Sequence, residues 1–169
     1  MKKTVLAALP LALTFGLGAC GADPAPAPVV EDAATVMQPG QWSLTRKTTG
    51  YNTPTVTPAQ YQEALKQVGQ DKLCIAVDKE GVPDANAIAG PEGSDCTYKD
   101  KLVRKGRLIA TLNCKAGAGT SEIVVEGNYT ADTLTLGTTM TKTEGGNAVL
   151  RTTHDLSGKR EGECPKAGA

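Results

Sequence analysis

The stretch CTYKDKLVRKGRLIATLNC, residues 96–114, decides the fold. Two strand-like runs flank Arg104-Lys105-Gly106, and a three-residue hairpin loop commonly puts a glycine in the left-handed conformation at its last position. With Gly106 in that place, opposite residues have numbers summing to 210. Cys96 then faces Cys114, Tyr98 faces Leu112, Asp100 faces Ala110 and Leu102 faces Leu108. Strand side chains alternate between faces, so all of these share one side. One register therefore aligns two cysteines and gathers the apolar residues, with Asp100 as the exception. A one-residue slip would lose both. The expectation is a Cys96–Cys114 disulfide within an antiparallel sheet.

Downstream the pattern continues as a meander: SEIVVEGNYT (121–130), TLTLGTTMTKT (133–143) and NAVLRTTHDLSGKR (147–160). Ala131-Asp132 and Glu144-Gly145-Gly146 supply the turns. Pairing Tyr129 with Leu134 puts Val125 opposite Thr138 and Ile123 opposite Met140. Pairing Met140 with Leu150 puts His154 opposite Leu136. Upstream, QWSLTRKT (41–48) alternates Trp42, Leu44 and Arg46 against Ser43, Thr45 and Lys47 and reads as the first strand. LCIAV (73–77) reads as a short buried strand, and PDANAIA (83–89) as a helical turn. In TPAQYQEALKQVGQ (57–70), Thr57 can cap a helix, Pro58 suits its first position and Gln60 completes a capping box. Tyr61, Ala64, Leu65 and Val68 share one face, and Gly69 can end the helix. A one-sided apolar sheet needs a cover, and this helix is the expected one. The fold class is thus mainly β: a single antiparallel meander sheet, able to curl, packed on one helix and braced by two disulfides.

The chain opens Met1-Lys2-Lys3 and then runs apolar from Val5 to Leu17, which matches a secretory signal peptide. The run is shorter than the ~20 residues a membrane span needs. Leu17-Gly18-Ala19-Cys20 resembles the lipobox of bacterial lipoproteins. That resemblance implies cleavage before Cys20, a diacylglyceryl group on its thiol, and attachment to a membrane through that lipid. The alternative is ordinary cleavage a few residues later and a soluble periplasmic protein. Gly21 stands where an Asp would resemble an inner-membrane retention signal, so the expected address is the periplasmic face of the outer membrane.

Of five cysteines, assigning Cys20 to lipid leaves Cys74, Cys96, Cys114 and Cys164. Four cysteines in an oxidising periplasm allow three pairings; choosing Cys96–Cys114 leaves Cys74–Cys164. No C-x-x-C occurs and His154 is the only histidine, so zinc-like ligand spacing is absent. The organisation expected is a signal peptide at 1–19, a disordered Pro/Ala-rich spacer at 20–39, one domain at 40–165 and a tail at 166–169. Within the spacer, ADPAPAPVVEDAA (22–34) reads as semi-extended. Basic and acidic residues number 18 each, and losing Lys2 and Lys3 leaves a mature net charge of about −2. A nucleic-acid partner, which would call for a strongly basic chain, is not expected; a monomer is.

Pro39-Gly40-Gln41-Trp42, four spaced cysteines and the closing Gly158-Lys159-Arg160-Glu161-Gly162-Glu163-Cys164 together resemble the bacterial domain-of-unknown-function family 3617. The likeness spans nearly all of residues 39–164. It implies a small exported protein, often a lipoprotein, and no activity.

The candidates for chemistry are sparse. His154 lies on a strand face with Leu150 and Leu156 and reads as a satisfied or rim histidine. No G-x-S-x-G, H-E-x-x-H or phosphate loop occurs. Glu122 with Glu126, or Glu161 with Glu163, could act as paired carboxylates but sit where charges are usually solvated. Asp100 is the one acid on the expected inner face. Asn128-Tyr129-Thr130 is a chance glycosylation match, Gly158-Lys159-Arg160 reads as soluble surface, and Trp42 reads as a core plug rather than a sugar platform. The functional expectation is a non-catalytic envelope module binding a protein or another envelope component, with no cofactor. The alternatives are a carrier of an apolar ligand between sheet and helix, and an enzyme using carboxylates such as Asp100.

Overall fold

The computed structural model describes residues 35–165. The expected signal peptide, Cys20, most of the expected spacer and the expected tail lie outside the described residues. The elements are β1 (Gly40–Asn52), α1 (Pro58–Ala64), β2 (Val68–Ile75), α2 (Ala85–Ala89) running into a 3-10 turn (Gly90–Glu92), β3 (Ser94–Arg104), β4 (Arg107–Ala116), β5 (Gly119–Tyr129), β6 (Thr133–Glu144) and β7 (Asn147–Gly162). All seven strands form one open antiparallel sheet in the order β2-β1-β7-β6-β5-β4-β3. The mainly β class and the downstream meander are as expected.

Alternation builds the inner face. Trp42 and Leu44 on β1, Leu108 and Leu112 on β4, Ile123 and Val125 on β5, Leu134 and Leu136 on β6, and Leu156 on β7 are all buried. Each large apolar side chain removed from water contributes roughly 1.5–3 kcal/mol. The indole Nε1 of Trp42 donates to the carbonyl of Gln38 at 3.2 Å, so its one polar atom is satisfied inside the core. The β5–β6 register is the expected one, with Tyr129 opposite Leu134 and Ile123 opposite Met140.

The β3–β4 hairpin differs from expectation at its turn. Its turn has two residues, Lys105 and Gly106, at φ 50° and 75°, and Arg104 pairs with Arg107. Positive φ at both central residues makes this a primed turn, whose twist matches that of the flanking strands where an ordinary type I or II turn would splay them. It shifts the register by one, and an irregularity between Tyr98 and Asp100 shifts it back, so that Tyr98 still faces Leu112. Between turn and bulge the faces are exchanged. Val103 packs against the core, Leu102 is 61% exposed, and Asp100 is on the solvent side. The expected inner-face position of Asp100 is therefore corrected: the bulge removes the carboxylate from the core.

At β6–β7, Met140 pairs with Thr152 and Thr138 with His154, two residues from expectation. Gly145 and Gly146 form a tight turn with φ 56° and 82°, and a bulge after Lys142 adds the second residue. An even slip preserves the faces, so His154 stays inside.

The cover is also not the expected one. The capping box of α1 is present, with Gln60 N donating to Thr57 Oγ1 and Thr57 N to Gln60 Oε1. Yet α1 spans 7 residues and buries none. Its intended last turn is taken by β2, whose Val68 pairs with Lys47 as an edge strand. Sheet pairing along eight residues outweighs propensity in a helix too short to be stable alone. α2 covers the sheet instead, burying Ala85, Ala87, Ile88 and Ala89; small residues let its backbone approach closely. Met37, from the stretch counted with the spacer, is fully buried beside them.

Disulfides close both margins. Cys96–Cys114 joins β3 to β4 with Cα atoms 4.1 Å apart, and Cys74–Cys164 ties β2 to the end of β7 at 5.6 Å. The two stretches that carried the family resemblance meet here. Gln41 pairs with Gly162 and Trp42 with Arg160, and Arg160 Nε donates to the Pro39 carbonyl at 2.9 Å. A Cβ on Gly40, at φ 146°, would lie 2.2 Å from the Gly162 carbonyl oxygen. These motifs are a structural seam between the first and last strands.

Candidate functional site

Within the apolar inner face lies a polar seam. Thr48, His154 and Thr138 form one row across β1, β7 and β6, with Arg46 and Thr152 beside it and Ser121 on β5; all six are buried. The segment of residues 85–92 crosses this seam as a strap. Glu92, with its side chain 8% exposed, accepts from Thr152 Oγ1 at 2.7 Å. His154 Nδ1 lies 3.0 Å from the same Glu92 oxygen, a contact distance without hydrogen-bond alignment. Ser121 Oγ donates to the Glu92 carbonyl at 3.2 Å, and Arg46 Nη2 donates to the Ile88 carbonyl at 2.6 Å. Gly90, at φ 57°, passes so close to the guanidinium that a Cβ would stand 2.7 Å from Arg46 Nη2. Only glycine adopts that conformation without cost.

Burial holds the Arg46 guanidinium below its usual pKa, and attraction to Glu92 and then Asp71 opposes this. The group stays charged, so the cluster is an arginine, a carboxylate and an imidazole under one strap. Arg46 Nε and Nη1, Glu92 Oε2 and Thr138 Oγ1 have no hydrogen-bond partner among the described residues. Chemically the arrangement fixes the strap by polar contacts at Ile88 and Glu92, and it shields His154, which is 7% exposed.

Two clefts flank the strap. One of about 460 Å³ is lined by Pro91, Glu92, Met140, Lys142, Leu150 and Thr152. The other, about 390 Å³, is lined by Val77, Asp78, Val82, Pro83, Cys96 and Tyr98. Tyr98 donates to the Pro83 carbonyl at 2.8 Å, and burial, then Asp78 and Asp84, push its hydroxyl pKa well up. Lys101 sits between Asp78 and Glu80 and lies 5.5 Å from the Tyr98 ring centre.

A third feature is on the opposite face. Leu102, Ile109 and Val124 are 61%, 38% and 48% exposed. Leu102 and Ile109 are directly opposite across β3 and β4. Val124 is diagonal to Ile109, which pairs with Glu126. Contiguous exposed apolar side chains on a sheet mark contact surfaces more often than isolated ones do.

The other sequence candidates scatter. Glu122 pairs with Lys99 at 3.1 Å, and Glu126 pairs with Arg107. Glu161 pairs with Lys72 at 3.1 Å, and Glu163 with Arg160. Each of these acids is held by a cation, and Glu122 shares a cleft with Asp95 and Lys115 instead of with Glu126. Trp42 is the expected core plug. Tyr129 of Asn128-Tyr129-Thr130 is buried. Sequence reasoning missed Glu92 and the role of Arg46. For Arg46 a signal existed, because a cation alternating with Trp42 and Leu44 on a buried face demands a partner. Glu92, in Gly90-Pro91-Glu92-Gly93, carried none.

Among the described residues no group of three or more His, Cys, Asp or Glu side chains could hold a metal ion. None of the described helices is long and apolar enough to cross a membrane. Two disulfides fit an oxidising, exported setting. A family model described as "Protein of unknown function (DUF3617)" matches residues 37–164. None of the curated proteins and none of the solved structures compared with the chain matches it.

Proposed function

Because the chain belongs to this family of proteins of unknown function, whose description names no activity, we propose that it is an exported lipoprotein carrying a non-catalytic binding module. Cys20 bears the lipid, and the Pro/Ala-rich residues that follow tether the β domain to the periplasmic face of the outer membrane. The module binds an envelope component, protein or lipid. One observation carries this reading: Leu102, Ile109 and Val124 stand exposed together on the outer face of a sheet braced by a disulfide at each margin. Binding to a rigid, preformed surface costs little ordering entropy.

The space that an apolar-ligand carrier would need, between sheet and α2, is filled. Trp42, Ile88, Leu108, Leu112, Ile123 and Leu136 are each no more than 2% exposed there. This supports the surface module over the carrier. A photo-crosslinking residue placed at Ile109 or Leu102 in living cells tests the reading. The expected result is a discrete adduct, of protein or lipid mass, absent when the same residue is placed at the exposed Gln70 on the opposite edge strand. Equal adducts from both margins would overturn it.

A further inference from the structure

The β3–β4 turn is distinctive in what surrounds it. Arg104 and Arg107 are Cα partners flanking Lys105-Gly106, so three cations crowd into four residues at one strand tip. Two residues back along each strand stand Leu102 and Ile109, opposite each other and both exposed. A tip with cations at its end and exposed apolar side chains behind them is amphipathic in the sense of an interfacial contact.

The second observation concerns where the chain toward Cys20 joins the domain. Thr35 is the first described residue, and a Cβ on Gly106 would lie 3.1 Å from Thr35 Cγ2. The tether root is therefore at this tip. Residues 20–34 number 15 and can reach, at the ~3.1 Å per residue of an extended Pro-rich chain, about 47 Å. A short tether raises the effective concentration of whatever lies beyond it, most of all for surfaces beside its root.

Charges around the tip are mixed. Glu126 pairs with Arg107, and Lys101 holds Asp78 and Glu80. Asp132 lies in the neighbouring β5–β6 turn, whose Ala131 carbonyl accepts from Gln38 N at 3.0 Å. The mature chain as a whole is slightly acidic and the tip's surroundings are balanced, so attraction to an anionic surface must come from the turn itself, where three cations lie within residues 104–107.

We propose that the β3–β4 tip, Arg104, Lys105 and Arg107 with Leu102 and Ile109 behind them, docks on the anionic lipid headgroups of the membrane to which the chain is tethered. The cations meet phosphate headgroups, and the two apolar side chains enter the headgroup boundary. Each Lys or Arg near an anionic surface strengthens binding about fivefold. This deepens the binding-module reading by naming the partner as lipid, and rests on it for the tether.

The test uses the mature chain, residues 20–169, secreted behind an ordinary signal peptide with Cys20→Ser, so that no acyl chain contributes. Co-sedimentation is measured with vesicles of phosphatidylcholine alone and of equal parts phosphatidylcholine and phosphatidylglycerol. The expected result is binding to the anionic vesicles only, lost on raising salt toward ~1 M, where screening acts within about 3 Å. The triple charge reversal Arg104→Glu, Lys105→Glu, Arg107→Glu weakens it at least tenfold, while Lys66→Glu with Lys72→Glu, near the opposite edge, does not. Should the triple variant fold poorly, Leu102→Ser with Ile109→Thr is the second variant, expected to weaken binding several-fold. Equal sedimentation with both vesicle types, or indifference to salt, overturns the proposal. So does a protein partner held through Ile109 in the absence of lipid. An unacylated Cys20 in cells would sink the anchor and leave this vesicle result standing.

Discussion

Replacing Glu92 by alanine should release the strap. The Glu92 side chain is 8% exposed, accepts a 2.7 Å hydrogen bond from Thr152 and faces the buried Arg46 charge. A charge-assisted hydrogen bond contributes about 1.5–3 kcal/mol. Glu92 attracts the Arg46 charge without an ion-pair contact, so removing the carboxylate costs at most the ~3–5 kcal/mol of breaking a buried pair. Asp71 also attracts Arg46, which places the expected loss near the lower end, about 3 kcal/mol. In a domain of this size that lowers the Tm by about 10 °C. Arg46→Met removes the donor to the Ile88 carbonyl and should cost a similar amount. The double variant Arg46→Met, Glu92→Ala should lose about 1–3 kcal/mol less than the two singles combined, the coupling expected of residues in one network. Urea unfolding of the four proteins with disulfides intact measures all three values. Additivity within about 0.5 kcal/mol, or a Glu92→Ala loss below about 1 kcal/mol, would refute the argument that this cluster fixes the strap.

Gly90→Ala forces an L side chain into a left-handed conformation, about 1–2 kcal/mol, and pushes a methyl against Arg46 Nη2; its unfolding midpoint should fall below that of Gly145→Ala, which meets nothing within 4 Å. The two disulfides close loops of 90 and 18 residues, so by chain entropy removing Cys74–Cys164 should cost about 4.6 kcal/mol and removing Cys96–Cys114 about 3 kcal/mol; chemical denaturation of the paired serine variants decides the order. For Asp78, burial raises the pKa, but hydrogen bonds from Lys101 and from the Val82 and Glu80 amides outweigh it and leave the carboxyl below its ordinary 3.8. The unfolded chain then takes up a proton first, so the stabilisation is present above about pH 4 and is lost as pH falls through the lower folded value. Asp78→Asn should flatten the acid limb of a stability-versus-pH curve, and an unchanged limb would count against this.

What could be read from the sequence followed from alternation and cysteine placement. Tyr129 opposite Leu134 emerged because the Ala131-Asp132 turn leaves one register that keeps Val125 and Ile123 inside. Where a glycine pair or a lysine-glycine pair tightens a turn, alternation cannot count the residues. At Lys105-Gly106 and Gly145-Gly146 the turn took two residues and bulges absorbed the difference, which carried Asp100 out of the core. The helix from Thr57 had the stronger local signals, yet β1 needed an edge partner and took Val68–Ile75. The strap had weak signals because alanines carry little pattern, and Glu92 reaches Thr152, 60 residues away. Only tertiary structure puts that carboxylate beside Arg46 and His154.

The central claim is a lipid-bearing Cys20 followed by a domain with two closed disulfides. Intact mass spectrometry of the mature protein from its native membrane tests it in one spectrum. The account predicts a chain beginning at residue 20, heavier by a diacylglyceryl group with or without a further acyl chain, with no thiol open to alkylation before reduction and four after it. A mass equal to the bare polypeptide, with one alkylatable thiol at the N-terminus, would contradict it.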